Sequence, residues 1–137
     1  MKISRDQTTS RFQKELSGLG SSDARKNLLR EILQEVILCH MTEAGLFEDM
    51  AFHGGTSLRL LYRIDRFSED LDMSLLTTSK NYDFSVGMKA LETSLVNSGF
   101  KLEFQNKSRP ASAIKTFYIN DSDILNPPKF FPVQLGV

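Results

Sequence analysis

Apolar residues fall into two long helical stripes separated by shorter alternating runs. Leu29, Ile32, Leu33, Val36, Ile37, His40, Met41 and Ala44 recur at i, i+3, i+4, i+7 and i+8 spacing, which predicts one broad helical face. Ser22 or Asp23 is positioned to cap that helix and Gly45 to end it. Phe84, Met88, Leu91 and Leu95 form a second stripe over residues 83–98, with Asp83 as cap and Gly99 as terminator. Gly87 lies inside that stripe and weakens the helix by about 1 kcal/mol relative to alanine. Between the stripes, residues 50–53 read as a short strand. A helix then starts near Thr56, with Leu58, Leu61 and Tyr62 at helical spacing. Over residues 70–76, Leu71, Met73 and Leu75 alternate with Asp70, Asp72 and Ser74, the period of a half-buried strand. Residues 101–105 and 113–119 read as further strands. Pro127, Pro128 and Pro132 exclude helix from the tail and disfavour a central strand before about Val133. Strands interleaved with helices predict an α/β or α+β fold. Residues 1–22 read as an extension or short helix, and residues 23–137 as the core.

Composition narrows the function classes. The 137 residues carry 17 Lys+Arg and 17 Asp+Glu, so there is no basic excess of the kind a general polyanion binder shows. No apolar run approaches the roughly 18–20 residues that cross a bilayer, and the first ten residues carry no signal-type stretch. A cytoplasmic protein is expected. The single cysteine, Cys39, excludes an internal disulfide and reads as a packing residue. His40 lies on an apolar helix face and reads as structural. His53, at a strand end, reads the same way, although it can reach a phosphate.

The chemistry concentrates in residues 52–72. Asp70 and Asp72 share one face of a strand, with Cα atoms roughly 6.5 Å apart. Two carboxylates so placed repel each other unless a divalent cation sits between them, and an all-oxygen set beside phosphates suits Mg²⁺. Gly54 and Gly55 stand between a strand and a helix start. There the backbone can approach a ligand closely, and free N–H groups favour phosphate oxygens. Thr56 and Ser57 add hydroxyls at the same end. Either feature alone is commonplace; the two within about 20 residues are more specific.

The combination resembles DNA polymerase beta-like nucleotidyltransferases. The stretch FHGGTSLRLLYRIDRFSEDLDMSL is similar to the AbiEii/AbiGii toxin family within that superfamily, with a His-Gly-Gly-Thr-x-Leu-Arg segment followed by Arg-Phe-Ser-x-Asp-Leu-Asp. The resemblance spans roughly residues 28–76. It implies a nucleotidyltransferase-like mixed sheet flanked by helices. It implies that Gly54, Gly55, Thr56 and Ser57 hold the triphosphate of an NTP and that Asp70 and Asp72 bind Mg²⁺. Arg59, Arg66 and Ser68 match motif positions that contact phosphate or orient the aspartates. It further implies transfer of a nucleotidyl group to an acceptor such as tRNA or another RNA, and a cognate antitoxin as partner. The superfamily's third carboxylate comes from a later strand. Asp121, and after it Glu103, are the candidates. The family's C-terminal helical domain and downstream Lys and Asp/Glu motifs are expected to be absent here. The fold is therefore expected to be incomplete relative to the family, and the alternative function is a truncated or degenerate, non-enzymatic nucleotide-binding or interaction domain.

Overall fold

A computed structural model describes residues 3–16, 18–63, 70–76, 81–108, 115–120 and 130–136, without side-chain detail for Ser22 and residues 118–120 and 130–132. In chain order the elements are α1 (Arg5–Leu16), α2 (Ser22–Glu43), a single 3-10 turn (Leu46–Glu48), β1 (Met50–His53), α3 (Gly54–Tyr62), β2 (Leu71–Leu75), α4 (Phe84–Asn97), β3 (Glu103–Asn106), β4 (Lys115–Asn120) and β5 (Phe130–Gly136).

Both long helices form where the apolar stripes fall. The cap of α2 is Ser21, one residue before the expected pair. Ser21 is extended and its hydroxyl accepts from the Ala24 N–H at 3.1 Å, so Ser22 already occupies the first helical position. Gly45 ends the helix with φ +75°, a conformation open to glycine at little cost. Asp83 caps α4 by accepting from the Ser85 N–H at 2.9 Å. Gly87 has a packing reason. A Cβ there would stand 1.9 Å from the Tyr82 hydroxyl and 2.9 Å from Leu46 Cδ2.

Among the described residues, five strands form one sheet in the order β1-β2-β5-β4-β3. The β2–β5 pair is parallel and the other pairs are antiparallel. In-register neighbours share a face. One face carries Met50, Leu71, Met73, Phe117, Val133 and Leu135. These bury into a single core with the stripes of α2 and α4, among them Leu33, Ile37, Met88 and Leu91. Truncating such a side chain to alanine costs about 2–5 kcal/mol.

Strand β5 reconciles the tail prolines with a central position. It begins at Phe130, but pairing with β2 starts only at Leu71–Val133. Before that point its described pairing is with β4 alone, where Pro132 faces Tyr118. A missing N–H is tolerated where a strand has a neighbour on one side only.

The N-terminal segment is tied to the core. His40 is fully buried, with Nδ1 2.7 Å from Ser94 Oγ and Nε2 2.8 Å from the Ile3 carbonyl. A carbonyl only accepts, so Nε2 carries the proton. Arg11 of α1 meets Glu35 of α2 at 2.6 Å. The helical spacing of Leu58, Leu61 and Tyr62 has the opposite outcome. They lie 47%, 66% and 73% exposed on the outer side of α3, so their period marks a helix but not a core face. No helix among the described residues is long and apolar enough to cross a membrane.

Candidate active site

The second face of the sheet carries the candidate site. Asp72 is the register partner of His53 on β1 and of Gln134 on β5, and Gln134 in turn of Thr116 on β4. These four residues form a polar row across four strands. The next row on that face is Ala51, Ser74 and Gly136, three small residues that keep the floor beside Asp72 low. The alternation that buries Leu71 and Met73 in the core leaves Asp72 partly exposed on this side.

The glycine turn meets that row directly. Gly54 has φ +84°, and a Cβ on it would lie 2.6 Å from Asp72 Oδ2 and 3.1 Å from Asp72 Cβ. Only glycine satisfies both the backbone angle and the space. The Asp72 carboxylate is therefore seated against the first turn of α3. The initial N–H groups of that helix have no partner within it, and its positive end favours negative charge.

Thr56 is fully buried, and its hydroxyl donates to the Asp70 main-chain carbonyl, joining α3 to the entry of β2. Asp70 stands one residue ahead of the strand, not inside it. Ser57 is also buried; Gly55 is exposed. Of the expected phosphate-cradling residues, Gly55 is exposed and Gly54 half-buried, while Thr56 and Ser57 are buried. Arg59 is drawn toward α2, where Nε sits 2.5 Å from Glu31 Oε1. Its guanidinium is paired with a helix carboxylate on that side. Arg66 and Ser68, and also Asp121, lie outside the described residues.

Glu103 is separated from the aspartates by the sheet order. It sits on the edge strand β3, three strands from β2, which is roughly 14 Å across a sheet. It does not join Asp72. The residue that stands beside Asp72 on β5 is Gln134, which no sequence motif singles out. Its only sequence signal is its place between Val133 and Leu135, which fixes the face but not the neighbour. Among the described residues, no three His, Cys, Asp or Glu side chains group as a metal site. Asp72, the aspartate on this face of the strand, is an oxygen donor of the kind that suits a hard cation keeping waters and phosphates as its other ligands.

Comparison with known proteins agrees with this geometry. A profile described as "Nucleotidyl transferase AbiEii toxin, Type IV TA system" matches residues 36–121, more than half of the chain. The chain belongs to the AbiEii nucleotidyltransferase toxin family. The match covers the glycine turn and both aspartates, the segments that meet in the structure. Among solved structures, this AbiEii-family fold is similar to the crystal structure of a "putative nucleotidyltransferase from H. pylori", with TM-score 0.55 and 17% identity. That superposition covers 85% of this chain and 46% of the H. pylori chain, so the chain spans less than half the length of that relative. At this identity the likeness shows the nucleotidyltransferase-type fold. No match was found among curated proteins.

Proposed function

We propose that this AbiEii-family chain binds Mg²⁺–NTP and transfers a nucleotidyl group to an acceptor hydroxyl, with tRNA or another RNA as the acceptor class and a cognate antitoxin as its partner. The observation that carries the reading is the seating of the Asp72 carboxylate against Gly54 at the start of α3. It brings an acidic cation ligand and a run of backbone N–H donors to one point, and a nucleoside triphosphate with its cation requires both.

In this reading Asp70 and Asp72 hold Mg²⁺, and the N–H groups at Gly54 and Gly55 hold phosphate oxygens. Mg²⁺ supplies charge neutralisation on the triphosphate when bound. The acceptor oxygen forms a bond to the α-phosphorus, its proton leaves to solvent or a nearby base, and the bond to pyrophosphate breaks. Gly54 keeps the approach open, and Thr56 fixes the main chain that bears Asp70. His53, exposed beside Asp72, is available to phosphate or acceptor.

Calorimetry with Mg²⁺–NTP tests the cation assignment. The doubly substituted Asp70→Asn, Asp72→Asn protein is expected to lose Mg²⁺-dependent binding, and unchanged affinity refutes the assignment. Incubation of labelled NTPs with total tRNA tests transfer. A second reading is a non-enzymatic nucleotide-binding or interaction domain. It is supported by Gln134, a neutral side chain, standing beside Asp72. Binding without label transfer for any NTP selects it.

A further inference from the structure

We infer that the Thr56 hydroxyl is a positioning group for the aspartate strand rather than a phosphate ligand, an inference that rests on the reading of Asp70 and Asp72 as the cation site. Thr56 is fully buried, so its side chain is not presented to a ligand approaching the open face of the sheet. The hydroxyl donates to the main-chain carbonyl of Asp70, fourteen residues downstream. Val fills the space but cannot donate, Ala neither fills it nor donates, and Ser can donate. That carbonyl belongs to the Asp70–Leu71 peptide, which leads into β2. Fixing it sets the direction in which the chain enters the strand, and hence where the Asp70 and Asp72 carboxylates stand relative to each other.

The neighbouring contact supports the same division of labour. Gly54 bears on the Asp72 carboxylate through its missing Cβ. Two positions of the glycine turn therefore act on the two aspartates separately, Gly54 on the side chain of Asp72 and Thr56 on the main chain of Asp70. The turn builds the cation site as well as the phosphate site. Ligands beyond the first coordination layer typically change cation affinity by roughly 10–100-fold.

The test separates cation from phosphate. Mn²⁺ affinity is read by electron paramagnetic resonance, and ATP affinity is read in EDTA, for the wild type, Thr56→Ser and Thr56→Val. Thr56→Val is expected to weaken Mn²⁺ binding by roughly 10–100-fold. Thr56→Ser is expected to restore it, and both are expected to keep the wild-type ATP affinity in EDTA. Retained Mn²⁺ affinity with lost ATP affinity overturns the inference, because the hydroxyl is then a phosphate ligand. Equal Mn²⁺ affinity in Ser and Val variants overturns it too. Amide hydrogen exchange over residues 70–75 keeps this distinct from failure of the cation reading. If the wild type itself takes up no Mn²⁺, faster exchange in Thr56→Val that Thr56→Ser reverses still upholds the positioning role. Unchanged exchange removes it. Should Thr56→Val not fold, Thr56→Ala carries the same comparison.

Discussion

Replacing Gly54 with alanine applies two separable loads to the site. The first is conformational: φ is +84°, and an L side chain in the left-handed region costs about 1–2 kcal/mol. The second is steric. The new Cβ would stand 2.6 Å from Asp72 Oδ2 and 3.3 Å from Asp72 Cγ, so the carboxylate must rotate away. A side chain forced off its rotamer adds about 0.5–1.5 kcal/mol. The total loss of stability is expected at about 2–3 kcal/mol, measured by urea denaturation. Asp72→Ala removes the oxygen contact and leaves the backbone load in place. In that background Gly54→Ala is expected to cost about 1 kcal/mol less, a coupling of the size seen between residues in contact. Divalent-cation affinity of Gly54→Ala is expected to fall by roughly 10–100-fold. An identical cost in both backgrounds refutes the steric argument. Wild-type cation affinity in a folded Gly54→Ala protein refutes the claim that this turn seats the carboxylate.

Three further outcomes follow from the packing. Gln134→Glu places a third carboxylate beside Asp72 and is expected to tighten Mn²⁺ binding roughly tenfold by charge attraction, read by calorimetry; unchanged or weaker binding contradicts the register argument. Gly87→Ala is expected to destabilise, reversing the gain of about 1 kcal/mol that helix propensity alone predicts, because its Cβ meets Tyr82 and Leu46; a rise in urea midpoint would show that these groups move aside freely. The Tyr82 hydroxyl is pushed up to about 12, by burial first and then by the carboxylates of Asp49 and Asp83. The folded state thus holds this proton more tightly than the unfolded chain. Its contribution to stability is complete below pH 10 and is lost as pH rises from about 10 to about 12. Tyr82→Phe is expected to remove the late-titrating part of the tyrosinate absorbance, and an unaltered titration curve would assign that component elsewhere.

Local pattern carried much of this protein. The stripes of α2 and α4 were legible because 3.6-residue periodicity is a property of consecutive residues. Strand β2 was legible through its alternation, and with it the shared face of Asp72 and Ser74. The motif pair and its family were readable because each motif is contiguous. The polarity of α3 was not: Leu58, Leu61 and Tyr62 have a helical period, but only the position of the helix at the rim of the sheet decides which side is covered. The limit imposed by the prolines held for two-sided pairing, since β5 gains β2 as a neighbour only from Val133.

What tertiary structure alone decided is which residues become neighbours across the sheet. Strand order removes Glu103 from the aspartates, and parallel pairing of β2 with β5 brings Gln134 to Asp72 from 62 positions away in sequence. No sequence window contains that register; it is set by which apolar rows bury together. The sequence by itself determined the family, through a glycine turn and two aspartates that stand close together along the chain. The fold decided how they touch: a positive φ at Gly54 leaves room for a carboxylate where any side chain would exclude it, and the Thr56 hydroxyl turns inward to hold the strand that bears the acids.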